Sequence, residues 1–315
     1  IFMALERGEV QGVSAALSTL LVNRSEWIRD NKVALLMQFG AERLTLRSPL
    51  PKPGEHNAEI LGPLGAGGMG EVYKAHDSRL NRDVAIKTSA KQFSERFERE
   101  ARAIAALNHP NICTLYDVGP NYLVMELVDG EKITDFCDHR HFGVRERMEL
   151  FIQVCEAIQH AHQKGVIHRD IKPSNVLVRE HDGRVVPKVI DFGIAKATSG
   201  SLDGDLTMTN PGQFIGTPAY MSPEQAELRE LDIDTRSDIY SLGVLLYELL
   251  TGRTPFDSKT LVAAGLDEIR RVIREVDPPR PSTRLSTLTD VDRSTVAQHR
   301  GTAPAHLSTL LCEIG

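Results

Sequence analysis

Eight residues near the middle of the chain constrain the fold most, because they place a carboxylate, two cations and an amide in one loop. This polar loop covers residues 168–175 and reads HRDIKPSN. Pro173 and its polar neighbours interrupt regular structure, while short apolar runs precede and follow them at residues 166–167 and 176–178. A polar loop held between two strands often presents catalytic groups on a rigid support. A solvated turn is the alternative, and the triplet His-Arg-Asp alone does not exclude it.

The composition indicates a globular protein and argues against nucleic acid as a partner. The 315 residues are 41% hydrophobic and 25% charged, with a formal net charge of −6. The four cysteines show no C-x-x-C spacing and are expected to be free thiols in a reducing compartment, so we expect a cytoplasmic domain. No apolar run is long enough to span a bilayer. The chain opens with Ile1 rather than Met, so a fragment is to be expected and a membrane anchor outside it stays open.

A glycine-rich stretch lies in the first third of the chain. Residues 65–70 read GAGGMG and fit G-x-G-x-x-G, a weak signal that also occurs in dinucleotide-binding domains. Those domains need a helix directly after the glycines. Here residues 71–75 alternate in polarity and predict a strand, so we expect a glycine hairpin whose backbone N–H groups could cover a phosphate chain.

A lysine and a glutamate are predicted to pair beyond this hairpin. Lys87 ends an apolar strand, and residues 93–107 carry apolar side chains at helical spacing. Glu100 lies on the helix face expected to be buried, where an unpaired carboxylate is costly, so Lys87 is its predicted partner. The alternative is a surface glutamate on a charged helix. The two residues are only 13 positions apart (100 − 87), a short connection.

The order of predicted elements divides the chain. Residues 1–56 are expected to be an accessory or poorly ordered extension, with helices predicted over 13–22 and 27–39, before a Pro- and Gly-rich linker. Five predicted strands followed by helices indicate an α+β protein with two lobes hinged near residues 126–130. We expect an N-lobe over 57–128, a C-lobe over 129–290 and a polar tail over 291–315.

Taken in order, these motifs resemble the signature set of protein kinases. The glycine stretch continues to a valine at position 72, VAIK occupies 84–87, DFG occupies 191–193, and SPE at 222–224 stands where the family has APE. Six motifs in the right order and context leave little room for chance. The residues in these motifs are similar to those of bacterial serine/threonine protein kinases of the eukaryotic type, and the resemblance covers about residues 58–285. The resemblance implies a bilobal protein-kinase-like fold with a small β-rich N-lobe and a larger, mainly helical C-lobe.

The resemblance also implies ATP and Mg²⁺ as cosubstrate and metal, and a role for each motif. Asp170 would handle the proton of the substrate hydroxyl, and Lys172 would neutralise the γ-phosphoryl group and mark Ser/Thr specificity. Lys87, oriented by Glu100, would hold the α- and β-phosphates, while Asn175 and Asp191 would hold Mg²⁺. The residues expected around the nucleotide are Gly65, Ala66, Gly67, Gly68, Gly70, Val72, Ala85, Lys87, Met125, Glu126, Val128 and Leu177.

Residues 191–224 resemble the activation segment of the family. Thr207 and Thr209 lie there among small polar residues, and Arg169 is the family position that pairs with a phosphorylated residue, so autophosphorylation is predicted. A merely polar loop is the alternative. The family's stacked apolar spine would consist of Ile104, Leu115, His168 and Phe192, anchored by Asp238.

One departure from the family pattern concerns the end of the chain. Family kinases continue with two more helices, one of which supplies an arginine to the equivalent of Glu224, whereas residues 287–305 are polar. The C-lobe is therefore expected to be incomplete. A catalytically silent nucleotide-binding scaffold remains the alternative to an enzyme. A small-molecule phosphotransferase is disfavoured by GTPAYMSPE at 216–224, which in the family shapes a peptide groove. The expected partners are a protein substrate and a second copy of the chain during autophosphorylation.

Overall fold

The computed structural model describes residues 36–39, 42–45, 58–67, 70–89, 92–192, 218–227, 233–258, 260–261 and 265–314. The chain divides into two units, residues 1–55 and 56–315. In the first unit, strands β1 (Leu36–Phe39) and β2 (Glu42–Thr45) pair antiparallel. The helix predicted over 27–39 is therefore wrong at its end, because a short apolar run fits a strand as well as a helix. The helix predicted over 13–22 lies outside the described residues.

The second unit opens with a five-stranded antiparallel sheet that forms the N-lobe. Its strand order is β3-β4-β5-β7-β6. The strands are β3 (Ala58–Gly67), β4 (Gly70–Asp77), β5 (Arg82–Thr88), β6 (Leu115–Val118) and β7 (Tyr122–Glu126). Helix α1 (Glu95–Ala105) begins at Ser94, whose hydroxyl accepts a hydrogen bond from the Phe97 N–H. Five strands with one helix confirm the predicted N-lobe pattern.

The C-lobe is mainly helical. Its elements are β8 (Glu131–Lys132), α2 (Ile133–His139), α3 (Val144–Gln163), β9 (Val176–His181), β10 (Arg184–Val189), α4 (Pro223–Ala226), α5 (Thr235–Thr251), α6 (Leu266–Glu275), α7 (Pro281–Ser286), α8 (Asp290–His299) and α9 (Pro304–Ile314). Strands β10, β9 and β8 form a small antiparallel sheet in that order. Within the described ranges, no helix combines the length and apolar character needed to cross a membrane. The α+β, two-lobed architecture is as predicted.

The prediction of a polar tail over residues 291–315 is wrong. Helices α8 and α9 occupy this stretch, and Leu307 and Leu311 are buried together with Leu250 and Leu285. The two leucines stand four positions apart, so one narrow apolar stripe on α9 is enough to pack the helix although its neighbours are polar. The prediction rested on the average composition of the segment, which does not reveal so narrow a stripe. Glu224 is the residue for which the family supplies an arginine. Among the described residues, its carboxylate accepts a hydrogen bond from the Ser237 hydroxyl.

Helix α5 carries a buried carboxylate that fixes the start of the polar loop. Asp238 is only 1% exposed. Its Oδ2 accepts a hydrogen bond from the His168 N–H and its Oδ1 accepts one from the Arg169 N–H, both at 2.8 Å. His162 on α3 adds a third contact through Nε2, 2.7 Å from Oδ2. One carboxylate thus joins two central helices to the loop. The contact with His168 is as the resemblance predicted for Asp238, and the contact with His162 was not predicted.

The packing of α9 can be tested with a buried leucine. Leu311→Ala should lower the free energy of unfolding by about 2–5 kcal/mol, because it removes buried methyl groups and leaves a cavity. Urea unfolding followed by circular dichroism measures the loss. Val291→Ala on α8 is the matched control, since Val291 is 76% exposed and a surface change stays within about 0.5 kcal/mol. Equal effects of the two substitutions would contradict the packed helix.

The role of Asp238 can be tested through the pH dependence of stability. Burial raises the pKa of the Asp238 carboxyl. The hydrogen bond from His162, the electrostatic attraction of His168 and the backbone hydrogen bonds from His168 and Arg169 outweigh burial and hold that pKa below its usual value. The stabilisation is therefore present above the pKa of an unfolded aspartate, about 4, and is lost as pH falls through the lower folded pKa.

We expect Asp238→Asn to lower the free energy of unfolding by about 3 kcal/mol at pH 7. The difference from the unsubstituted protein should shrink below about pH 4, measured by urea unfolding across pH. Asp234→Asn, at the exposed N-terminal cap of the same helix, is the control and should change stability much less. A difference that stays constant down to pH 3 would contradict the assigned role.

Candidate active site

The polar loop brings together three of the predicted catalytic and metal-binding side chains. Lys172 Nζ lies 2.7 Å from Asp170 Oδ2. Asn175 Nδ2 donates to the Asp170 backbone oxygen at 2.8 Å and to Asp170 Oδ2 at 3.0 Å. A 3₁₀ turn over Pro173–Asn175 creates this return of the chain toward Asp170. The carboxylate of Asp170 is therefore oriented by two donors from its own loop.

His168 connects the loop to the residues that follow β10. Its ring is fully buried, and Nε2 lies 3.0 Å from the Ile190 oxygen. Nδ1 accepts the Asp170 N–H at 3.3 Å, which assigns the ring hydrogen to Nε2. The ring also packs on Phe192 with centroids 4.7 Å apart. This contact is as expected for the spine, whose other members, Ile104 and Leu115, are buried in the same core.

The predicted pair between Lys87 and Glu100 is not formed in the structure. Lys87 Nζ lies 2.9 Å from Asp191 Oδ2. Glu100 instead contacts Arg96 Nε at 3.3 Å and Arg169 Nη1 at 3.8 Å. The reason is that both charges find other partners: Asp191 arrives after β10, and Arg96 stands one helical turn before Glu100. A Lys87–Glu100 pair requires an exchange of these partners.

Two residues of the site adopt a backbone conformation that side chains disfavour. Arg169 and Asp191 have φ values of 65° and 59°. Such left-handed conformations cost about 1–3 kcal/mol each and persist where surrounding contacts fix them, often at active sites. At Arg169 these contacts are the bond from its N–H to Asp238 and a bond from Gln225 Nε2 to its carbonyl oxygen at 2.8 Å. One of these residues, Asp191, is thus a predicted metal ligand, and the other directly precedes the predicted catalytic Asp170.

The glycine stretch forms the predicted hairpin between β3 and β4. Gly65 lies opposite Val72, Ala66 opposite Glu71, and Gly67 opposite Gly70. Gly70 has a φ of 148°, and a Cβ built there would lie 1.8 Å from the Thr88 oxygen, so only glycine fits. Because a strand follows the glycines, the dinucleotide-binding alternative is excluded. Gly68, Gly193, Thr207 and Thr209 lie outside the described residues.

The residues expected around an adenine ring come from both sheets. Val72 pairs with Lys87 in register, and Ala85 pairs with Met125, which places these positions on neighbouring N-lobe strands. Leu177 lies on β9 of the other sheet, opposite Lys132. Glu126 ends β7, and Val128 lies in the segment that connects β7 to β8. This segment therefore links the two sheets.

Some residues of the site were not predicted from sequence. Lys188 and Arg179 contact the Glu126 carboxylate at 2.7 and 3.3 Å. A single lysine inside the apolar strand β10 was a signal that could have identified Lys188, since such a charge needs a buried partner. Nothing comparable marks His162 or Gln225, whose contacts with the loop and its anchor join residues 76 and 56 positions apart.

Comparisons with known proteins agree with this geometry. Residues 58–303 match the family model described as protein kinase domain. A probable serine/threonine-protein kinase of Streptomyces coelicolor is 44% identical over 238 residues, which cover 70% of this chain and 33% of that protein. Serine/threonine-protein kinase PknB of Mycolicibacterium smegmatis is 42% identical over 241 residues, covering 72% of this chain and 36% of PknB. The chain thus spans about a third of the length of these curated relatives.

A solved structure supports the same assignment. The kinase domain of Mycobacterium tuberculosis PknI superimposes with a TM-score of 0.54 at 26% sequence identity. The match covers 82% of this chain and 96% of the PknI chain. Because the family model covers well over half of the sequence, the chain belongs to the protein kinase family.

Proposed function

We propose that the chain transfers the γ-phosphoryl group of ATP to serine or threonine hydroxyls of proteins in a Mg²⁺-dependent reaction. The observation that carries this proposal is the polar loop, in which Asp170 lies 2.7 Å from Lys172 and 3.0 Å from Asn175. Asp238 binds the backbone N–H groups of the two residues before Asp170. The names of the curated relatives, which are serine/threonine-protein kinases, support it.

Asp170 and Lys172 would each have a role in the transfer step that their positions permit. Asp170 would orient the attacking hydroxyl and accept its proton. Lys172 would neutralise negative charge on the transferred phosphoryl group, because phosphoryl transfer depends mainly on positioning and charge stabilisation. Lys172 contacts Asp170 directly, so the two side chains are ready to meet the same pair of reacting groups.

The donor set at Asn175 and Asp191 fits Mg²⁺, which prefers oxygen ligands. Asn175 uses its Nδ2 toward Asp170, and these bonds leave its amide oxygen for a metal. Asp191 supplies a carboxylate that Lys87 holds at 2.9 Å. When bound, the ion would neutralise charge between the β- and γ-phosphates.

ATP would bind between the glycine hairpin and the segment after β7. Backbone groups of residues 65–70 would cover the phosphates, and Lys87 would hold the α- and β-phosphates. Backbone groups of Glu126 and Val128 would meet the adenine, with apolar contacts from Val72, Ala85, Met125 and Leu177. Glu100 would replace Asp191 as the partner of Lys87 once nucleotide and metal occupy the site.

A nucleotide-binding scaffold without transfer is the second candidate. The observation that favours it is the absence of the Lys87–Glu100 contact among the described residues. The enzyme is preferred because every catalytic position carries the residue type that the reaction needs.

Asp170→Asn separates these two functions. It should lower transfer of labelled phosphate from ATP to a generic basic protein by about 10²–10⁴-fold, because it removes the proton acceptor, while affinity for ADP stays nearly unchanged. Asp182→Asn is the matched control, since Asp182 is 89% exposed in the β9–β10 turn. Unsubstituted protein that binds ADP but transfers no phosphate would support the scaffold and contradict the enzyme.

Autophosphorylation in the activation segment forms a second test. Arg169 contacts Glu100 at 3.8 Å, and a phosphothreonine with nearly two negative charges would compete for its guanidinium. Peptide mass mapping after incubation with ATP and Mg²⁺ should find phosphate on Thr207 or Thr209, and Asp170→Asn should abolish it. A rate that rises with protein concentration would show that one copy modifies another. Phosphate found only outside residues 191–224 would contradict the prediction.

A further inference from the structure

The carboxylate of Glu126 is enclosed by charged and polar groups at the junction of the lobes. Its side chain is 14% exposed. One oxygen lies 2.7 Å from Lys188 Nζ and the other lies 3.3 Å from Arg179 Nη2. The Thr114 N–H also donates to this carboxylate at 3.3 Å. Because little of this carboxylate faces water, its charged partners and the backbone donor hold the side chain in one position.

The lysine in this cluster is held as firmly as the glutamate. Lys188 is 9% exposed, and its Nζ also donates to the Ile112 carbonyl oxygen at 3.2 Å. Ile112 forms a parallel bridge with Val189, the residue after Lys188. Strand β10 therefore brings Lys188 to Glu126 and, three residues later, brings Asp191 to Lys87.

The main chain of Glu126 is fixed by the same neighbours. Its N–H donates to the Thr114 carbonyl oxygen at 2.8 Å, and the Cys113 thiol lies 3.5 Å from its carbonyl oxygen. Cys113 is held in turn by a backbone bond to Val189 at 2.9 Å. The last residue of β7 is thus attached through residues 112–114 to β10, by its side chain and by its backbone.

We propose that Lys188, together with Arg179, is a positioning residue for nucleotide binding, which acts by holding Glu126 and with it the segment that meets the adenine. This inference rests on the proposed function. Lys188 contacts neither Asp170 nor Lys172 among its described bonds, so it sets the affinity for nucleotide and leaves the transfer step alone.

Lys188→Met tests this role, because methionine keeps the length of the side chain and removes its charge. The Glu126 carboxylate, left with the partly exposed Arg179 as its cationic partner, should then move toward water and displace the segment. We expect the Kd for a fluorescent ADP analogue, measured by anisotropy, and the KM for ATP to rise about ten- to hundredfold, because a displaced segment weakens one or two hydrogen bonds to the adenine. The kcat at saturating ATP should stay within about twofold.

Two further variants separate positioning from stability. Glu126→Gln combined with Lys188→Met removes the buried anion together with its lysine partner, so its KM for ATP should return most of the way to that of the unsubstituted protein. Asp138→Asn is the matched control, since it weakens the 2.7 Å pair with the 1% exposed Arg147 elsewhere in the C-lobe. It should lower the melting temperature without raising the KM for ATP.

The results that would overturn the inference are distinct. Lys188→Met that lowers the melting temperature as Asp138→Asn does, with unchanged Kd and KM, would show a structural role only. A fall in kcat at constant KM would place the effect on the transfer step. Unsubstituted protein that binds no ADP analogue would overturn the proposed function and this inference with it.

Discussion

The buried carboxylate of Asp238 is the interaction on which the arrangement of the site depends. Two backbone N–H groups of the polar loop point at it, and one of them belongs to Arg169, whose left-handed backbone is unfavourable by itself. Without this acceptor the loop would leave buried donors unsatisfied, and its strained conformation would have no compensation. The positions of Asp170, Lys172 and Asn175 follow from the loop conformation. A group that is only 1% exposed therefore fixes the loop that carries the proposed catalytic residues.

The charged side chains near the polar loop form pairs that can exchange. Lys87 is bound to Asp191, and Glu100 is bound to Arg96 and Arg169. A nucleotide with its metal would draw Lys87 toward phosphate and Asp191 toward the cation, while a phosphorylated threonine would draw Arg169 away from Glu100. Each event releases a partner for the Lys87–Glu100 pair. Under the proposed function, binding and modification would thus act on one network of charge pairs.

The fold and most of the site could be predicted from sequence because the motifs are local. Each of these elements spans a short stretch of sequence: the polar loop, the glycine hairpin and the five strands. Their turn-forming residues and their alternation of apolar and polar residues can be recognised in the sequence. The prediction of a Lys87–Glu100 pair was wrong because a sequence gives the sign of each charge but does not show which of several possible partners lies nearest. The prediction of a polar tail was wrong because the two buried leucines on α9 stand among polar residues in the sequence. Lys188 and His162 were missed because their partners lie 62 and 76 positions away.

A crystal structure with Mg²⁺ and a non-hydrolysable ATP analogue is the measurement that bears most directly on these roles. It should show the γ-phosphate beside Asp170 and Lys172, oxygen atoms of Asn175 and Asp191 on the metal, and the adenine against residues 126–128. Lys87 should then contact Glu100 and the phosphates. A nucleotide bound away from the polar loop, or a metal held without Asn175 and Asp191, would contradict the assignment of this site to phosphoryl transfer.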